Sequence, residues 1–212
     1  MKIIALTLSG LFVKLEPWKK AHISWFEEAS RKLRDPSLFS WATKENYFQG
    51  VDLAMKKLYP DLTEEERTIK ARELYFDSVL EYIKINKDVI NKDVIDYFRT
   101  LKKKFRLALI TTNKKDSLDK ILKLIKLNNF FDIIESSLPN EKDDKRVVFK
   151  RFIKKYKKPL IYIGGDRKDS FDFCKENNIP CIFANFENSP ELSDVESVYN
   201  LEELKIKLSK SS

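Results

Sequence analysis

Two rhythms of apolar and polar residues run along this chain. Residues 2–8 are almost continuously apolar apart from Lys2 and Thr7, and the run closes at Ser9-Gly10. Such a run reads as a strand buried on both faces that enters a turn. From Pro17, a favoured first helical residue, the period becomes helical, with Ala21, Trp25, Ala29 and Leu33 on one face until Asp35-Pro36 stops it. A second helix is predicted over 43–58, with Phe48, Leu53, Met55 and Leu58 inward. Thr63 before Glu64-Glu65-Glu66 is a capped, dipole-matched start for a long helix to about Ile83, with Leu74, Phe76, Val79, Leu80 and Ile83 inward.

Beyond residue 90 the two rhythms alternate. A helix at about 92–103 leads to a strand at 105–111. A helix at 116–126 leads to a short strand at 131–134, and a helix at 145–156 to a strand at 160–163. A helix at about 168–177, a strand at 181–184, a short piece at 195–199 and a last helix to about Lys207 complete the pattern. Strand-helix alternation argues for a parallel sheet with helices on both faces, and the first strand belongs to that sheet. The expected fold is therefore α/β, a Rossmann-like parallel sheet. Residues 1–13 and 91–212 form its core, and 14–90 are an inserted all-helical cap.

Composition narrows the class. With 42% apolar residues over 212 positions the chain can bury a core without staples. The net charge of +8 raises the case for nucleic acid, but the lysines are spread along the chain among Glu and Asp, as on solvated helix faces. A nucleic-acid partner is not expected. Cys174 and Cys181 make no framework and no CxxC, and read as buried free thiols of a cytoplasmic protein. No apolar run is long enough for a membrane span. The segment Glu45 to Gly50 resembles a protease-tag scar, but it lies mid-chain and is read as native.

In a parallel sheet, chemistry gathers at the carboxyl ends of the strands. The first strand ends in Thr7, Ser9 and Gly10, the second in Thr111, Thr112 and Asn113, and a later one in Gly164, Gly165 and Asp166, with Asp169 and Ser170 just beyond. Lys142, Asp143, Asp144 and Lys145 lie in the loop after the intervening strand. Each feature has a plainer reading. Asp166 could cap the next helix, Thr112-Asn113 could be a strand-to-helix turn, and Lys142 could be a solvated loop lysine. His22 is the single histidine, so no histidine metal cluster exists. Trp18, Trp25, Trp41, Tyr47 and Phe48 read as cap core, with a cap pocket as the alternative.

Taken in order, these segments resemble the motifs of the haloacid dehalogenase superfamily. Leu6-Thr7-Leu8-Ser9-Gly10-Leu11-Phe12 is similar to the first motif, where a strand ends in Asp-x-Asp-Gly-Thr. Leu109-Ile110-Thr111-Thr112-Asn113 is similar to the second, whose Ser or Thr binds phosphate. Lys142 falls near the lysine of the third, with Lys145 as its rival, and Tyr162-Ile163-Gly164-Gly165-Asp166 is similar to the acidic fourth. The helical insert after the first motif matches the cap of one subgroup. The resemblance implies a phosphate or ligand site at Thr112, Asn113, Lys142 and Gly10, with Asp166 and Asp169 as a weak or vestigial magnesium site.

The departures weigh as much as the matches. The family's nucleophilic aspartate is replaced by Thr7 and its general acid/base aspartate by Ser9, and Ser170 stands where a second acidic residue is common. A threonine hydroxyl is a poor nucleophile without an activating base, and a serine does not titrate near neutrality. The expectation is a catalytically impaired relative that binds a small phosphorylated molecule or anion between core and cap, or a protein partner. The alternative is an active magnesium-dependent phosphatase acting on a small phosphorylated metabolite.

Overall fold

The computed structural model describes residues 1–44, 46–138, 141 and 143–210. These fall into two compact units, Met1–Leu15 with Asp88–Ser212, and Glu16–Lys87.

The first unit is built on six strands: β1 (Ile3–Leu6), β2 (Arg106–Lys114), β3 (Ile133–Ser137), β4 (Ile161–Gly164), β5 (Cys181–Ala184) and β6 (Glu196–Val198). All pair in parallel, in the order β3-β2-β1-β4-β5-β6. The central strand is apolar on both faces because helices cover both sides of the sheet, and Ala5 and Leu6 are fully buried. Four helices lie between its strands, α4 (Lys92–Leu101), α5 (Lys115–Leu124), α6 (Lys145–Tyr156) and α7 (Lys168–Glu176), and α8 (Leu201–Lys210) follows β6. Each turns an apolar stripe inward, such as Val94, Ile95 and Phe98 on α4 or Leu118, Ile121 and Leu122 on α5. One large cluster joins Ala5, Ala108, Ile110, Phe149, Phe152, Tyr162, Phe171 and Phe183 from both strands and helices.

This strand order places the site. The chain leaves β1 for β2 and β3 on one side, then returns past β1 to β4 on the other. The strand ends at this reversal, those of β1, β2 and β4, frame the crevice in which doubly wound sheets bind ligands. Leu6 is level with Leu109 on one side and Ile163 on the other, and the Thr7 N–H donates to the Ile163 carbonyl at 3.2 Å.

The expected elements are present, with instructive shifts. β2 runs to Lys114, so Thr112 and Asn113 are buried strand residues beside a register shift against β3, not a turn. β3 starts later than the apolar run suggested and continues through Glu135 to Ser137. A glutamate is tolerated inside a strand because α6 supplies its counter-charges. Arg151 Nε donates to Glu135 at 2.5 Å, Lys155 holds the same carboxylate at 3.0 Å, and Arg151 also bonds Glu141 and the Ser136 carbonyl. Glu135 is only 4% exposed, so this network fixes α6 to the edge of the sheet.

The second unit holds α1 (Glu16–Leu33), a 3₁₀ helix (Pro36–Thr43), α2 (Tyr47–Leu58) and α3 (Glu64–Ile85) around Phe26, Ala29, Leu38, Ala54 and Met55. The acidic start of α3 is a full capping box between Thr63 and Glu66. The expectation for α2 needs correction: Phe48 and Leu53 are exposed, at 60% and 45%. The inward face is Gly50, Ala54 and Met55, because Trp41 lies where a Gly50 side chain would stand. His22 is structural, with Nε2 2.8 Å from the Ala42 carbonyl and its ring edge-on to Tyr47. Trp25 lies in this unit's core, with Trp41 and Tyr47 packed against it. Among the described residues no helix is long and apolar enough to cross a membrane.

Replacing Arg151 with alanine leaves Glu135 buried with one half-exposed partner. We expect a loss of about 3 kcal/mol, the usual cost of breaking a buried pair, read as a lower urea midpoint. Unchanged stability would mean that the network does not anchor α6.

Candidate functional site

The loops after β1 and β4 touch through their backbones. A Cβ on Gly10 would stand 2.5 Å from the Gly165 carbonyl oxygen, and one on Gly165 would stand 2.5 Å from the Gly10 carbonyl carbon. Gly10 also has a φ of +72°, where a side chain is strained. Two glycines thus bring two loop backbones together at the reversal point.

Around that contact the polar residues take fixed positions. Thr7 is 2% exposed at the end of β1. The Ser9 hydroxyl donates to Asp166 Oδ2 at 2.5 Å, joining the first and fourth motif segments. Asp166 Oδ1 is buried with no hydrogen-bond partner. Asp166 does not cap α7, whose N-cap is Arg167 and has no side-chain cap bond. Thr111 Oγ1 accepts from the Asn113 N–H at 3.1 Å, holding the end of β2.

Lys142 lies outside the described residues. Lys145, its rival in the sequence, is the first residue of α6 and only 2% exposed. Among the described residues no hydrogen bond holds its ammonium. Burial pushes that ammonium down to about 8, while the nearby Asp166 carboxylate pulls it back up. Burial likewise raises the Asp166 carboxyl above its ordinary value, opposed by Lys145 and by the Ser9 hydroxyl. The two groups therefore sense each other's charge, and neither donates to nor accepts from the other.

Arg167 is the residue that sequence reasoning missed. Its Nε and Nη2 fork onto Asp169 at 3.1 and 2.7 Å. Its Nη1 reaches Asp143 Oδ1 at 2.6 Å and Thr112 Oγ1 at 3.2 Å. Burial works against its charge, and the two carboxylates more than offset this, so the guanidinium is held well above its ordinary value. Both basic residues carry a sequence signal. Lys145 and Arg167 sit at helix N-termini, where the macrodipole disfavours cations, so each needs a local reason to be there.

The fit of a divalent cation follows from these bonds. Magnesium takes oxygen ligands, usually with one or two carboxylates and near-octahedral geometry. Both oxygens of Asp169 are engaged by Arg167, Asp166 Oδ2 is engaged by Ser9, and Asp166 feels two nearby cations, Lys145 and Arg167. Among the described residues no group of three or more His, Cys, Asp or Glu is placed to hold a metal. The expected pair Asp166 and Asp169 is thus split between two different partners; among the described residues one buried oxygen, Asp166 Oδ1, stays open, and a single carboxylate oxygen beside two cations does not fit the ion.

A doubly wound parallel sheet and an all-helical unit inserted after its first strand define a Rossmann-like α/β protein with a helical insert. A sequence model of haloacid dehalogenase-like hydrolases matches residues 19–184, more than half of the chain, so the protein belongs to that family. The match begins after Thr7 and Ser9. No curated protein matches the chain in sequence. Among solved structures it is similar to a HAD phosphatase from Thermococcus onnurineus, at 19% identity and TM-score 0.66 over 98% of both chains. It is also similar to YfnB from Bacillus subtilis, solved bound to magnesium, at 14% identity and TM-score 0.63 over 98% of both chains. A third is β-phosphoglucomutase from Clostridium difficile, at 15% identity and TM-score 0.61 over 99% of this chain and 98% of that one. At these identities the likeness is one of fold.

Gly165→Ala should force the two loops apart. Overpacking of this kind costs about 1–3 kcal/mol, or roughly 2–12 °C in Tm for a chain of this size. A thermal melt that matches wild type would show that the loop contact can relax freely.

Proposed function

We propose that this protein is a non-hydrolysing member of its family that binds a small phosphorylated molecule at the carboxyl edge of the sheet. The observations that support this best are Lys145, a buried residue whose ammonium no hydrogen bond holds among the described residues, and a first-strand end whose polar side chains are hydroxyls, Thr7 and Ser9. A buried charge without a hydrogen bond is costly, and a ligand oxyanion relieves that cost. Thr112, Asn113 and the backbone near Gly10 lie on the same edge and complete a set of donors suited to a phosphoryl group. The solved structures of similar fold include a phosphatase and a phosphoglucomutase, both of which handle phosphoryl groups, and this supports the same ligand class here.

Turnover is a different demand. Phosphoryl transfer through a covalent intermediate needs a nucleophile with an activating base or a carboxylate of its own. Among the described residues no hydrogen bond joins Thr7 to an acidic side chain, and Asp166 already accepts from Ser9. Loss of a nucleophile in a covalent mechanism lowers the rate on the order of 10⁴–10⁶-fold. The family's general acid/base position is Ser9, and its hydroxyl acts as a hydrogen-bond donor that steadies Asp166. Binding groups are retained while the reacting groups are replaced.

The test is hydrolysis of an aryl phosphate and a panel of phosphorylated metabolites, with and without magnesium, beside an Asp166→Ala variant. We expect background rates, equal in the two proteins. Magnesium-dependent turnover that the variant abolishes would contradict the proposal and restore the alternative, an active phosphatase.

A further inference from the structure

We infer that Arg167 is the built-in cation of this site, so that the site binds oxyanions without any divalent metal; this rests on the ligand-binding reading above. The guanidinium has five N–H groups. Two fork onto Asp169, one meets Asp143 Oδ1, one meets Thr112 Oγ1, and Nη2 makes a longer approach of 3.5 Å to the Asp143 carbonyl. One side chain thereby links the end of β2, the loop before α6 and the start of α7. These are the segments whose carboxylates would otherwise repel one another at the sheet's edge. The Arg167 side chain is 28% exposed, and its bonds to Asp169 and Thr112 are partly buried while those to Asp143 stand nearer solvent.

A bound dication would serve the same ends, neutralising carboxylates and tying loops together. Here Asp143 and Asp169 are already neutralised and tied by Arg167. A dication entering the site would find only Asp166 Oδ1 unengaged among the described residues, and would have to break the Arg167 fork to gain a ligand from Asp169. It would then sit near two fixed positive charges. Arg167 has no donor to spare for a ligand, so its role is to hold Thr112, Asp143 and Asp169 in place. The charge left for an incoming oxyanion is the Lys145 ammonium, which no described residue holds by a hydrogen bond. Arg167 is in this sense a positioning residue and Lys145 the binding one.

The experiment is thermal denaturation of the full chain with inorganic phosphate as probe, in chelator and in magnesium, for wild type, Arg167→Gln, Arg167→Lys and Lys145→Met. For wild type we expect phosphate to raise Tm equally in chelator and in magnesium, and magnesium alone to leave Tm unchanged. Lys145→Met should lose the phosphate shift under both conditions. Arg167→Gln releases both oxygens of Asp169 from the fork, so magnesium alone should now raise its Tm, and its phosphate shift should depend on magnesium. Arg167→Lys keeps the charge without the fork and should respond to magnesium less than Arg167→Gln does. A wild-type phosphate shift that appears only with magnesium, or a wild-type response to magnesium alone, would overturn the role given to Arg167 and leave the binding reading standing. No phosphate shift under either condition would overturn the binding reading itself.

Discussion

The backbone contact between Gly10 and Gly165 governs the carboxyl edge of this sheet. The strand order brings the loop after β1 beside the loop after β4, and two residues without side chains let them meet. Once they meet, Ser9 reaches Asp166, and Asp166 is held at the floor of the edge with one oxygen satisfied. Asp166 in turn sets the electrostatic surroundings of Lys145, which α6 delivers from the other direction. A side chain at either glycine would break this chain of dependence at its first link.

The edge is organised by two cations with separate duties. Arg167 is surrounded by acceptors and holds three segments together. Lys145 is buried, depressed toward neutrality by its burial, and makes no hydrogen bond among the described residues. In the proposed reading the saturated cation stabilises the frame and the other meets the ligand. The network of Arg151, Lys155, Glu135 and Glu141 supports this from behind, since it fixes α6 and hence the position of its first residue. With hydroxyls in place of the first-motif carboxylates, the arrangement supports the proposed reading, in which the edge holds an anion and breaks no bond to phosphorus.

Much of the fold was legible in the sequence because its signals are local and repeated. The apolar run at 2–8, the strand-helix alternation after residue 90 and the Thr63 cap each follow from periodicity or capping, and the parallel α/β sheet stands as read. The errors arose where a distant residue overrides a local one. Glu135 continues a strand because Arg151 and Lys155 neutralise it, and α2 turns Phe48 outward because Trp41 claims the space at Gly50. At the site, the strand ends were legible as places, and Thr112, Asp166 and Gly10 do lie there. The bonds that give them meaning were not. Nothing in the local sequence shows that Asp169 faces Arg167 rather than Asp166, or that Lys145 is buried while Asp143 and Asp144 are not. Those facts depend on how three loops converge in space.

The most direct test of the account is a ³¹P NMR titration of an aryl phosphate with the protein, in chelator and then in magnesium, which reads binding and turnover in one sample. The account predicts saturable broadening of the aryl phosphate resonance under both conditions, lost in Lys145→Met, with no inorganic phosphate formed beyond the protein-free rate. An inorganic phosphate resonance that grows with protein concentration, or an aryl phosphate line that the protein leaves unchanged, would contradict it.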